Sequence, residues 1–132
     1  MAGPSLVRHL EKSIEIGLGS GSPEEKIFKL GGCIGTGLHI CEAIPCAVGF
    51  VAANPGDPVG ALVGAVNVGY VGYDTDTTAT MTGAIVGALY GADAFPAHYL
   101  PTLEQANGLP LATLAERIAA TSQTRIKQEA LI

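Results

Sequence analysis

Apolar residues recur at spacings of three and four along most of the chain, and nowhere do they alternate cleanly with polar ones. That pattern predicts helices. Leu6, Leu10 and Ile14, with Val7 beside them, mark a helix over 5–17, whose wheel places Arg8, Glu11, Lys12 and Glu15 elsewhere. The run Gly19–Ser22 stops it. Ser22 then supplies an N-cap, Pro23 a first helical position, and Glu25 the third member of a capping box. Residues 30–39, "LGGCIGTGLH", read as a glycine-rich loop. A buried helix follows over about 40–53. Pro45 fits only near its start, so the helix is expected to begin near Glu42 with Pro45 in its first turn.

"NPGDP" is a turn, after which Asp57 caps and Pro58 opens a helix running to about Tyr70. The next helix is expected from about Asp76 to Tyr90, stopped by Gly91. Gly83, Gly87 and Gly91 are four apart, which predicts a close helix–helix contact. Pro96 and Pro101 open short turns or helices. A final helix carries Leu111, Leu114 and Ile118 along one face. The fold class is therefore all-α, an irregular multi-helix bundle, read as a single domain over 1–132.

Composition changes this picture in one respect. Apolar residues make up 48 % and charged residues 14 %, against about 25 % charged in ordinary domains. A surface that neutral is expected to be covered in part by a partner chain or by further chain. The net charge of −5, with no block of Lys or Arg, argues against a nucleic-acid backbone as that partner. No apolar run reaches the roughly 18 residues that span a bilayer, so no membrane span is expected. Cys33, Cys41 and Cys46 match no zinc spacing and read as free thiols of a reducing compartment, which points to the cytoplasm.

The chemistry concentrates in "GYDTDTTATMTGAIVGALYG", residues 72–91. One aspartate at a helix start is accounted for by capping. Two, Asp74 and Asp76, repel each other, and no Lys or Arg lies between Lys29 and Arg117 to neutralise them. Two readings stand on the residues: an exposed double cap, or a site for a hard divalent cation. For the second, Asp74, Asp76 and the Thr77 hydroxyl offer oxygen donors suited to magnesium, manganese or calcium. Glu42, at a helix start, reads as a structural acid more than as a general acid or base. His39 reads as a loop residue, and His9 and His98 as surface or packing residues.

The same stretch resembles the signature of the ADP-ribosylglycohydrolases, in which a glycine-preceded Asp-x-Asp-Thr opens an Ala/Gly-rich helix ending in Tyr-Gly. "LGGCIGTGLHICEAIPCAVGFV" is similar to that family's upstream Gly-x-Gly loop and Glu-x-x-Pro helix, and "LPTLEQANGLPLATLAERI" to its closing helices. The resemblance implies an all-α fold around magnesium ions, and hydrolysis of the glycosidic bond of ADP-ribose attached to a protein or a small molecule. It implies Asp74, Asp76 and Thr77 as metal ligands. It also implies Gly35, Gly37, Leu38 and Gly72 as residues facing the ADP-ribose, with Mg2+ or Mn2+ as cofactor. It assigns no catalytic residue here.

Two departures stand out. Tyr73 occupies a position that is usually small, and the chain has no Asp-Asp pair to match the family's N-terminal metal-binding run. Half a metal site is thus expected, completed by a complementary N-terminal half or by self-association. The alternative is a catalytically inactive, truncated or crystallin-like structural relative.

Overall fold

The computed structural model describes residues 5–68 and 74–129. Among these there are seven α-helices and no strand, so the all-α class holds. The helices are α1 (Leu6–Leu18), α2 (Pro23–Cys33), α3 (Ile40–Ala53), α4 (Pro58–Asn67), α5 (Thr75–Tyr90), α6 (Tyr99–Asn107) and α7 (Leu111–Glu129). The chain divides into two compact units, Met1–Ala94 and Phe95–Ile132.

In the first unit α3 is the central helix, in contact with α1, α2, α4 and α5. Its sequence explains why. Cys41, Ala43, Cys46, Ala47, Phe50 and Ala53 are all buried, and the stripe through Ile40, Ile44 and Val48 keeps contact with water. Leu30 from α2, Ile34 just after it, Ala65 from α4 and Ala79 from α5 complete the core around Phe50 and Cys46.

Local signals set several helix ends as the sequence predicts. The Ser22 hydroxyl accepts from the Glu25 amide at 3.2 Å, and the Glu25 carboxylate accepts from the Ser22 amide at 3.0 Å. Asp57 Oδ1 accepts from the Gly60 amide at 2.8 Å. Gly91 ends α5 with φ +78, a left-handed value that glycine adopts without a Cβ clash. The Tyr90 hydroxyl, one residue earlier, accepts from the Gly56 amide at 3.0 Å and ties that end to the turn before α4.

Four expectations are corrected. First, α2 continues through Cys33, so the loop is shorter than 30–39 and begins at Ile34. Second, α3 starts at Ile40 with His39 as its N-cap, which leaves Pro45 inside the helix. Proline has no N–H to give to the Cys41 carbonyl four residues back. That carbonyl instead receives the His9 imidazole, 2.5 Å away, with Nδ1 as the donor because a carbonyl only accepts. His9 thus repairs from α1 the gap that Pro45 opens in α3.

Third, the buried face of α1 is rotated from the Leu6/Leu10/Ile14 stripe. Ser13 and Gly17 are the fully buried residues, and Ile14 is exposed. The smallest side chains face α3 because the two backbones come close: a Cβ at Gly17 would lie 2.7 Å from Ala52 Cβ and 2.8 Å from the Gly49 carbonyl oxygen. Fourth, the Gly83/Gly87/Gly91 series makes no such approach. A Cβ at Gly83 would meet Leu62 at an ordinary 3.6 Å, and at Gly87 and Gly91 it would meet nothing.

A prediction follows from the α1–α3 contact. Gly→Ala in an exposed helix gains about 1 kcal/mol of propensity. At Gly17 the added methyl presses on a backbone oxygen that cannot rotate away, an overpacking cost of about 1–3 kcal/mol. Gly17→Ala is therefore expected to lower the urea midpoint, whereas Gly87→Ala, which meets no atom, is expected to raise it. A raised midpoint for both would refute the close contact.

In the second unit α6 packs on α7. Gly108 ends α6 in the left-handed conformation. The Glu104 carboxylate accepts from the Ala112 amide at 2.9 Å and so caps the start of α7. Leu114 and Ile118 are half exposed or more, so the apolar stripe read from the sequence is uncovered. No helix among the described residues is long and apolar enough to cross a membrane.

Candidate functional site

The site is built where the loop after α2 meets the start of α5. The loop, Ile34–His39, passes over the first turn of α3. Gly35 takes φ +92 there. Asp74 joins the loop from the other side: its amide donates to the Thr36 carbonyl at 2.7 Å. The structure therefore places Asp74, Asp76 and Thr77 next to the segment holding Gly35, Gly37 and Leu38. Gly72, and with it Tyr73, lies outside the described residues.

Asp74 stands at the N-cap position of α5, yet its carboxylate makes no capping hydrogen bond. Asp57 and Ser22 show what a cap looks like in this same protein. The threonines of α5 bond back to carbonyls one turn earlier: Thr78 Oγ1 donates to the Asp74 carbonyl at 2.9 Å, and Thr82 Oγ1 to the Thr78 carbonyl at 2.8 Å. The helix begins at Thr75, one residue before the expected Asp76. Only Asp74 is thus non-helical.

The carboxyls nevertheless converge. The Asp74 carboxyl group lies within hydrogen-bonding reach of Asp76 and, with the amides of Thr77 and of Asp76 itself, holds Asp76 below the ordinary carboxylate range. Asp74 is half-buried, while Asp76 and Thr77 are exposed. Among the described residues the ion pair found is Lys12–Glu15, at 3.1 Å on α1, so no basic side chain neutralises this pair.

Beneath the loop lies Glu42. Its Oε2 accepts from the Gly37 amide at 3.0 Å. A Cβ at Gly35 or Gly37 would stand 2.8 or 2.6 Å from the same oxygen, so the loop is moulded on that carboxylate. Thr36, between the two glycines, is fully buried, and its hydroxyl finds no hydrogen-bond partner among the described residues. Leu38 at the loop's tip is 89 % exposed. Cys46, one turn beyond Glu42, has its thiol pushed up to about 12 by burial and then by the Glu42 charge. It is an inert packing group.

Sequence reading missed Thr36; Glu42 is the structural acid it predicts, though its partner, the Gly37 amide, was not foreseen. The signal was the pair of glycines flanking Thr36, with an acid five residues after the second. The donors fit a hard cation in kind: two neighbouring carboxyls, of which Asp74 makes no capping bond, with no basic partner among the described residues, and a hydroxyl in the adjoining turn. Among the described residues no group of three or more His, Cys, Asp or Glu stands together, so other ligands would have to come from elsewhere.

An all-helical chain carrying paired acids at a helix mouth, against a glycine loop, is the arrangement the sequence resemblance leads one to look for. The sequence model of the ADP-ribosylglycohydrolase family matches residues 4–128, and the chain belongs to that family. An uncharacterized protein of Escherichia coli (strain K12), YegU, is 31 % identical over 121 residues, a match that takes in 92 % of this chain and 35 % of that protein. The chain thus spans about a third of the length of the curated relative it matches. No solved structure matches it.

Proposed function

We propose that this chain provides one side of the metal site of a magnesium-dependent hydrolase acting on ADP-ribosyl glycosidic bonds. The observation that carries the proposal is the freed Asp74 carboxylate. It sits at a helix N-terminus without capping it, near a second carboxyl, with no counter-charge among the described residues. Carboxyls in contact need a proton or a cation between them. Asp74, Asp76 and Thr77 would hold magnesium or manganese through their oxygens. A bound divalent ion supplies Lewis-acid polarisation and a water of lowered pKa.

The chain's own residues would do the rest. The loop carrying Gly35, Gly37 and Leu38 would lie along the ADP-ribose, and the exposed Leu38 would offer it an apolar surface. The negative charge of the acids would favour the positive charge that develops at a glycosidic carbon.

Activity would require the complementary N-terminal half, with the family's Asp-Asp run, either as another chain or as more of the same protein. The share of the relative covered supports this. So does the surface, where Phe28, Leu38, Ile40 and Leu89 are each more than half exposed. Substrates would be ADP-ribosylated proteins or small molecules.

The test joins the chain, by mixing or fusion, to the N-terminal half of a family member. Magnesium-dependent release of ADP-ribose from a modified protein is the expected result. A folded assembly that binds the metal and releases none would favour the structural, non-catalytic reading.

A further inference from the structure

We infer that Glu42 is a positioning residue for Asp74, acting through the single peptide that joins Thr36 to Gly37. The inference rests on the metal reading above for its purpose, but on hydrogen bonds of the described residues for its geometry. The Gly37 N–H and the Thr36 C=O belong to one peptide plane. In a trans peptide they point in opposite directions, and there is no cis bond among the described residues. Glu42 Oε2 accepts from the N–H at 3.0 Å, and the C=O accepts from the Asp74 amide at 2.7 Å. One plane is therefore gripped on both edges, by α3 on one side and by the residue that opens α5 on the other.

The comparison with α2 shows that Glu42 is diverted to this task. Glu25 and Glu42 are each the third residue of their helix. Glu25 reaches back to the amide of its own N-cap, Ser22. Glu42 passes over its N-cap, His39, and bonds an amide two residues further back. The N-cap task at α3 falls to His39, whose Nδ1 accepts from the Cys41 amide at 3.4 Å.

The plane needs such a grip because glycine follows it. With no Cβ at Gly37, the peptide can flip at small steric cost, which would turn the Thr36 carbonyl away from Asp74. A charged acceptor on its N–H favours one orientation, and polarises the peptide so that its carbonyl accepts more strongly. Gly35 and Gly37 are glycines for the same reason: side chains there would displace the carboxylate.

The test is amide hydrogen exchange on the 132-residue chain, read by NMR without metal. In Glu42→Ala the Asp74 amide should exchange at least about tenfold faster, with Phe50 in mid-α3 unchanged. In Glu42→Gln, whose side-chain carbonyl can take the same bond, most of the protection should return. Manganese affinity of the assembled protein, measured by electron spin resonance, should fall about 10–100-fold in Glu42→Ala and recover in Glu42→Gln, as for groups that orient a ligand.

Unchanged Asp74 exchange in Glu42→Ala would overturn the inference, as would Glu42→Gln exchanging as fast as alanine. Manganese loss without any change at the Asp74 amide would also overturn it, by making Glu42 a direct ligand. If the unaltered assembly binds no manganese, the metal reading fails instead. The exchange result, which needs no metal, still decides the link from Glu42 to Asp74.

Discussion

Asp74→Asn is expected to lower the magnesium or manganese affinity of the assembled protein by more than the roughly 10–100-fold that loss of an orienting group costs. The substitution removes a ligand's charge while keeping its shape. If Asp74 were a cap, the change would be nearly silent, because asparagine caps about as well as aspartate. The structure separates the two cases before the experiment, since no capping bond exists to be lost. Without metal, Asp74→Asn should leave stability nearly unchanged, because no capping bond is lost and the asparagine amide can still donate to Asp76.

With metal the two proteins should differ. A ligand that binds the folded state alone raises stability by RT ln(1 + [L]/Kd), so the unaltered assembly gains on adding magnesium and the variant gains little. Calorimetric titration and paired thermal melts, with and without magnesium, read both effects. Equal affinity and equal metal-induced shifts in the two proteins would remove Asp74 from the site.

Phe50→Ala should cost about 3–5 kcal/mol, the usual range for emptying an aromatic site in a core. Phe50 is fully buried in the middle of α3 and packs with Leu30, Cys46 and Ala65. Its neighbours are held by four surrounding helices, so the cavity cannot collapse cheaply. A domain of this size has about 5–15 kcal/mol in total, and the variant is expected to be partly unfolded at moderate urea concentrations. Phe28 provides the contrast. It is the same residue type, 67 % exposed on α2, and Phe28→Ala should stay within about 0.5 kcal/mol of the parent. Urea unfolding followed by circular dichroism compares them. A loss below about 1 kcal/mol at Phe50 would mean that α3 is not the central helix.

Much of the site was legible in sequence because its parts are local. An aspartate pair beside a small-residue helix can be read from a dozen letters, and the absence of Lys and Arg around it is a matter of counting. What the pair does with its carboxyls was not legible. Asp74 could have capped α5, as Asp57 caps α4, and the letters alone allow both. Whether it caps depends on where the Thr36 carbonyl holds its amide, and Thr36 is remote in the chain. Glu42 was read as structural, as it is, but its partner was not legible for a related reason. At the third position of a helix an acid is normally explained by its own N-cap, and only the path of the loop draws this one elsewhere. The glycine series on α5 misled in the opposite sense. Its spacing suits a close helix contact, but spacing does not say whether a helix comes near, and the close approach falls at Gly17 and Gly49, which share no motif.

By itself the sequence determined the helices, most of their caps, the all-α class and the family, because each of these follows from bonds and spacings spanning a few residues or from a motif in order. Tertiary structure alone decided which face of α1 is buried, that His9 supplies the donor Pro45 lacks, and that one peptide links Glu42 to Asp74. Those depend on groups far apart in the chain meeting at hydrogen-bond distance, and such meetings are set by how helices pack around α3.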